Sequence, residues 1–274
     1  MTLRIGAVSY LNTKPLIYKL DQVLPAAELL LDLPSRLADR LHRGELDVAL
    51  IPSVEFFRAS EQEHLTIVSD ACIATRGPVW SVQLLFRRRP HEVRTLALDE
   101  GSRTSAALAR ILLKKRCGIR PDTIPLPIGS RPEDADADAI LVIGDRALRG
   151  WGDEFIEVWD LGDEWCRATE RSFVFAMWVA RDPDLGPEVA AGLEAVRDNG
   201  LACAESISAE VAGSYGLTQQ DCLDYFRKFL YFRLGTLERQ GLRMFYEESM
   251  AEGLVPPSTW IHPSDISRNE VVRK

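Results

Sequence analysis

Apolar residues fall in short blocks along the first half of the chain, and amphipathic stretches separate them. Leu3 to Val8 reads as a short buried strand. Behind it, Tyr10-Leu11-Asn12-Thr13-Lys14-Pro15 opens a helix near Pro15, where the missing N–H would be unpaired in any case. Glu28 to Leu33 is the next strand. Pro34-Ser35 starts a helix with Leu37 and Leu41 on one face, and Gly44 follows its end. Asp47 to Pro52 forms a third strand, which stops at Ser53. Strand and helix in alternation predict a parallel sheet with right-handed crossovers.

The pattern restarts after Arg87-Arg88-Arg89-Pro90. Thr95 to Leu98 is a strand, Gly101-Ser102-Arg103-Thr104-Ser105 is a turn, and a helix runs to Cys117 with Leu108, Ile111 and Leu112 as its buried stripe. Gly118 ends it. Ala139 to Ile143 and Phe155 to Leu161 are further strands. Trp80 to Phe86 and Phe173 to Val179 read as an outward and a returning strand that join two α/β lobes. The lobes are expected at 1–87 plus 174–274 and at 88–173. The tail is helical: Pro187 opens a segment with Val189, Leu193 and Val196 on one side, and Thr236 is the expected cap of a last long helix. Two lobes joined by two crossings form a hinged clamp, whose ligand sits in the cleft at the carboxyl ends of the strands.

Candidate ligand residues therefore follow strands. Ser9, Tyr10, Asn12, Thr13 and Lys14 enter a helix whose free N–H groups can bind a carboxylate; helix capping by Asn12 or Thr13 is the plainer reading. Ser102, Arg103, Thr104 and Ser105 surround a second helix N-terminus, with Gly101 allowing close approach and Arg103 adding a bidentate cation. Asp145, in Gly144-Asp145-Arg146, can orient a donor, hold Arg103 or Lys14, touch a substrate hydroxyl, or cap a helix. Ser81 faces the cleft if Trp80 and Val82 pack inward. Ser53 is a weaker member of the set. The Arg87–Arg89 run reads as a solvated edge, and Trp151, Trp159, Trp165 and Trp178 as packing residues.

Composition narrows the partners. Of 274 residues, 46% are hydrophobic and 27% charged, an ordinary globular balance. The net charge of −8 speaks against nucleic acid as a partner. An acidic protein that binds an anion needs a local positive pocket. No apolar run is long enough to span a membrane. Five scattered cysteines and four dispersed histidines show no metal or redox spacing, so neither a metal nor a disulfide is expected. The start, Met1-Thr2-Leu3-Arg4-Ile5-Gly6, reads as a strand onset without signal-peptide character, and a cytoplasmic location is expected.

The same segments carry a family resemblance. Ile5-Gly6-Ala7-Val8-Ser9-Tyr10-Leu11-Asn12-Thr13-Lys14-Pro15-Leu16 resembles the N-terminal signature of the chorismate dehydratases of the futalosine route to menaquinone. Gly44 to Ser53, Ala97 to Ser105, Ile143 to Leu148 and Phe173 to Trp178 resemble the family in the same order. The match covers about the first 180 residues. One departure is Glu170-Arg171-Ser172, where the family is expected to carry Gly-Leu-Pro; it bears on hinge stiffness.

The resemblance implies an α/β, two-lobed, type-2 periplasmic-binding-protein-like fold with a central cleft. It implies a cofactor-independent hydro-lyase that converts chorismate, a small dicarboxylate, to 3-(1-carboxyvinyloxy)benzoate. It also implies Asn12 and Ser81 as the catalytic polar pair. Two other readings remain open: the pathway's 1,4-dihydroxy-6-naphthoate synthase, and a small-anion solute-binding protein. The oligomeric state is not legible, nor is the identity of the base, for which Asp145 and a substrate carboxylate are the candidates.

Overall fold

The computed structural model describes residues 2–59, 63, 65–182, 185 and 187–257. Met1, His64 and His262 lie outside them. The first strands fall where the apolar blocks predict: β1 (Leu3–Val8), β2 (Ala27–Asp32) and β3 (Val48–Pro52). Between them lie α1 (Lys14–Ile17), α2 (Leu20–Val23) and α3 (Pro34–His42). A short helix, α4 (Ser53–Arg58), follows β3 directly. Then comes β4 (Thr66–Thr75), a strand that the sequence pattern left unassigned.

The second lobe begins with β5 (Val82–Phe86) and β6 (Thr95–Asp99). Next are α5 (Arg103–Cys117), β7 (Asp122–Leu126), β8 (Ala139–Ile143), β9 (Glu157–Asp160) and α6 (Leu161–Thr169). The chain returns through β10 (Phe173–Ala180) and ends in α7 (Pro187–Ala202), α8 (Ala204–Val211), α9 (Gln219–Asp224), β11 (Tyr231–Arg233) and α10 (Thr236–Ala251). α5 ends as its sequence predicts, with Gly118 at φ 71. Gly235, not Thr236, occupies the cap position of α10, and Thr236 makes no capping bond there.

Two sheets result. The first runs β11-β4-β10-β3-β1-β2 and the second β7-β6-β8-β5-β9. The purely parallel expectation holds only for part of each. β1 pairs parallel with β2 and β3, while β10 inserts antiparallel between β3 and β4. In the second sheet β6 is parallel to β7 and β8, whereas β5 is antiparallel to β8 and β9. Every residue of β3 and β10 is buried, as covering on both faces requires.

β5 corrects the predicted outward crossing. Val82–Phe86 pairs only within the second sheet. We therefore place the first crossing at residues 76–81, upstream of the expected boundary at 87. The return crossing lies between α6 and β10. Arg87 also departs from a solvated edge: its guanidinium donates to the carbonyls of Ala135, Ala137 and Glu133. Trp159, Trp165 and Trp178 are buried, as packing residues should be.

The crossings are tied to the C-terminal helices. The Thr75 hydroxyl lies 2.8 Å from the Gly77 carbonyl and 3.1 Å from that of Phe229. Arg76 pairs with Glu238 on α10 and stacks 3.7 Å from the Tyr231 ring centre. Gly200 on α7 admits the first helix: a Cβ there would meet the Pro15 carbonyl at 1.9 Å.

Glu170 ends α6 with φ 55, a left-handed conformation that glycine adopts far more readily. This is the site of the family's expected Gly, so Glu170 carries backbone strain. Glu170→Gly should gain about 0.5–1 kcal/mol net of glycine's unfolded-state entropy. Thermal unfolding reads this as a midpoint raised by a few degrees; an unchanged or lower midpoint would show no strain at this cap.

Candidate functional site

The cleft between the sheets holds a cavity that opens to solvent at its mouth. Strand ends and the turns after them line it. The first lobe contributes Val8, Tyr10, Asn12, Pro52 and Phe175; the second contributes Val82, Ser102, Thr104, Ser105, Ile143 and Gly144; Val79 and Ser81 come from the crossing. The predicted residues Tyr10, Asn12, Ser81, Ser102, Thr104 and Ser105 thus meet in one space. Its polar groups are hydroxyls and a carboxamide on apolar walls, and no charged side chain among the described residues lines it.

Each polar residue is placed by local backbone. β1 ends at Val8, and Leu11–Thr13 turn tightly so that Asn12 follows the strand end. The Thr13 hydroxyl donates to Asn12 Oδ1 at 3.1 Å and leaves the carboxamide N–H groups for other partners. Ser102 caps α5 by accepting from the Ser105 N–H at 3.2 Å. Asp99 braces the turn before it, accepting from the Gly101 N–H at 2.9 Å while Arg146 pairs with its other oxygen. Ser81 is nearly fully buried.

Ser81 follows Trp80, whose φ is 62. A bulky residue held there costs about 1–3 kcal/mol. Asp160 over-determines this turn. Its carboxylate accepts from the N–H groups of Val79 (2.9 Å) and Trp80 (2.6 Å), and also from Gly162 (3.0 Å) and Asp163 (3.1 Å) at the start of α6. Sequence reading missed this residue by extending the preceding strand to Leu161. The signal was present: an Asp followed three residues later by Asp163 is a helix start. Trp80 packs on Tyr225 and Phe229, 5.7 and 5.6 Å between ring centres, whereas Val82, expected to pack inward with it, lines the cavity beside Ser81.

Tyr225 is a second residue that sequence reading missed. It opens a π-helical turn, Tyr225–Phe229, and is fully buried. Its ring stands beside the turn that carries Ser81. Burial holds the phenol far above its ordinary titration range, so it stays a donor. Nothing in the local sequence marks this position.

The other predicted residues stand outside the cavity. Arg103 is a correction: its guanidinium points to the first lobe, where it binds Asp39 at 2.8 and 3.0 Å and Glu55 at 2.8 Å. It clamps the lobes and does not supply a cation to the cleft. Ser53 donates to the Val174 carbonyl at 2.8 Å and lies 3.4 Å from the Thr104 hydroxyl. Thr104 also accepts from the Val54 N–H at 3.2 Å, so this pair stitches the lobes together. Ser9 is exposed, Thr13 is buried behind Asn12, and Lys14 does not reach the cavity wall.

Asp145 resolves into an inter-lobe latch. Its Oδ1 accepts from the Leu11 N–H at 2.9 Å. Beside it, the Tyr10 ring lies on Gly144, where φ is 66 and a Cβ would meet the ring at 2.9 Å. Burial pushes the Asp145 carboxyl up to about 6, against the Leu11 bond and the Lys14 charge.

The sequence model of the menaquinone biosynthesis family matches residues 3–251. A chorismate dehydratase of Thermus thermophilus is 28% identical over 260 residues, 89% of this chain and 93% of the relative. Among solved structures, a protein of Archaeoglobus fulgidus superposes with a TM-score of 0.70 at 16% identity, covering 92% of this chain and 98% of that one. The periplasmic aliphatic sulphonate-binding protein of Escherichia coli gives 0.63 at 17% identity, covering 93% and 88%. At such identities the likeness is one of fold: the two-lobed fold of the periplasmic binding proteins.

The raised Asp145 pKa has a consequence for stability. Folding takes up a proton at this carboxyl between about pH 4 and 6, so its contribution falls as pH rises through that window and is level above it. Asp145→Asn keeps an acceptor for Leu11 without the buried charge. The variant should gain on the wild type as pH rises from 4 to 7, and unfold a few degrees higher at pH 7. An offset that does not vary with pH would show that the charge is not strained.

Proposed function

The chain belongs to the menaquinone biosynthesis family, and on that premise we propose that it is a chorismate dehydratase, removing water from chorismate to give 3-(1-carboxyvinyloxy)benzoate. The observation that carries this reading is the convergence of Asn12, Ser81 and the α5 N-terminus on one cavity. The relative's name supports the substrate.

Chorismate carries two carboxylates. The α5 N-terminus, with Ser102, Thr104 and Ser105, suits one of them, through its dipole and hydroxyls and without a cation. Asn12 and Ser81 suit the other. The ring then loses the proton from the carbon bearing the ether and the hydroxyl from its neighbour. The C–H electron pair forms the new ring double bond as the C–O bond breaks, the abstracted proton passes from the base to the departing hydroxyl so that water leaves, and aromatisation drives the step.

The base in this reading is the substrate's enolpyruvyl carboxylate, which hangs from the same ring carbon that gives up the proton. Asn12 and Ser81 hold it in place, so positioning supplies most of the acceleration. Asp145 is a poorer candidate because it is engaged with Leu11 and does not line the cavity. No cofactor enters the scheme. A cytoplasmic site of action belongs to the same reading, and the five cysteines, all free thiols, support it. No helix among the described residues is long and apolar enough to cross a membrane.

Incubation of the purified protein with chorismate should give a new benzoate chromophore and a product lighter by one water. Asn12→Ala should lower kcat by about 10²-fold or more with little change in thermal midpoint. No product from the wild type would overturn the reaction, and near-normal turnover in the variant would overturn the role of Asn12.

A further inference from the structure

Asp160 stands where β9 gives way to α6, and its two carboxylate oxygens divide their partners. Oδ1 accepts from the Gly162 N–H at 3.0 Å and the Asp163 N–H at 3.1 Å, which caps α6, and from the Val79 N–H at 2.9 Å. Oδ2 accepts only from the crossing, from the Trp80 N–H at 2.6 Å and the Val79 N–H at 3.0 Å. Gly162 permits this approach: a Cβ there would meet the Gly77 carbonyl at 2.6 Å. The crossing bends sharply at this point. The Ser81 N–H donates to the Val79 carbonyl at 2.7 Å and closes a three-residue turn around Trp80, at φ 62. A turn of that hand is rare and strained, and it persists where its surroundings over-determine it. On the far side, the Ser81 carbonyl accepts from the Gly144 N–H at 2.8 Å. Ser81 thus enters the cavity wall directly out of a turn that one carboxylate keeps closed.

We propose that Asp160 is a positioning residue for the dehydration: its Oδ2 fixes the strained turn at Trp80 and so sets where Ser81 stands in the cavity. The role rests on the dehydratase reading above. Asp160 does not line the cavity, so it acts through the backbone and not on the substrate. Only a carboxylate accepts with two oxygens at once. Asparagine caps a helix about as well, but its single acceptor oxygen cannot also serve the crossing, where its NH2 group would face two N–H donors. Serine also caps a helix, and its side chain is too short to reach Trp80. With Oδ2 gone, the turn relaxes toward the negative φ that a bulky residue prefers, and Ser81 shifts relative to Asn12. The α5 N-terminus still holds the substrate, so the loss falls on the oriented reaction step more than on binding.

Asp160→Ser keeps the cap and drops the bonds to the crossing. With chorismate, kcat should fall about 10–100-fold while KM stays within about threefold. In a Ser81→Ala background the same substitution should cost far less, because the group it positions is already gone. Thr218→Ala, which removes the exposed cap of α9, should lower the thermal midpoint and leave kcat unchanged. A crystal structure of Asp160→Ser should show Trp80 at negative φ and Ser81 displaced from its place in the cavity wall. An unchanged kcat, a loss confined to KM, an equal fold-loss with and without the Ser81 hydroxyl, or an unmoved Ser81 would overturn the positioning role. A wild type that does not convert chorismate would overturn the dehydratase reading instead. The displacement of Ser81 is read without turnover, so the two failures are distinct.

Discussion

Arg103 belongs to the second lobe, yet its guanidinium is held by Asp39 and Glu55 of the first. Glu55 is almost fully buried, so its charge requires a partner. Further contacts bridge the lobes in the same arrangement, among them Val54 N–H to Thr104, Leu11 N–H to Asp145, and the Tyr10 ring on Gly144. All need the lobes face to face. The cavity exists because this seam closes around it, and every polar residue that lines it is set by a turn near the seam.

The chemistry follows from how little charge the closed cavity contains. A doubly charged ligand would normally call for arginines or lysines, but the two arginines beside the cleft, Arg103 and Arg146, are committed elsewhere. Arg103 clamps the lobes, Arg146 neutralises Asp99, and Lys14 stands off near Asp145. What remains are hydroxyls, a carboxamide and a helix N-terminus, groups that orient a ligand without gripping it through ion pairs. This suits a reaction in which the substrate carries its own base and needs to be held in one conformation.

The alternation of apolar blocks made β1, β3, β6, α5, β8 and β10 legible, because buried strands and striped helices leave periodic marks. Asn12 and the Ser102–Ser105 turn were legible because they follow strand ends, whereas Ser81, just ahead of β5, was singled out by strand alternation and by the family resemblance. Three features were not. Arg103 sits beside a helix N-terminus in sequence, but the rotation of α5 turns its side chain toward α3 and α4. β5 read as a crossing strand because no local pattern reveals that Asp160 bends the chain at Trp80. Tyr225 is remote in sequence, and a π-helical turn leaves no periodic signature.

The central claim is that Asn12, Ser81 and the α5 N-terminus close over one ligand. A crystal structure with the benzoate product bound tests it most directly. The account predicts the product within the cleft, one carboxylate at Ser102–Ser105 and the other within hydrogen-bond distance of Asn12 and Ser81, with Arg103 still on Asp39 and Glu55. A product bound elsewhere, or one contacting neither Asn12 nor Ser81, would contradict it.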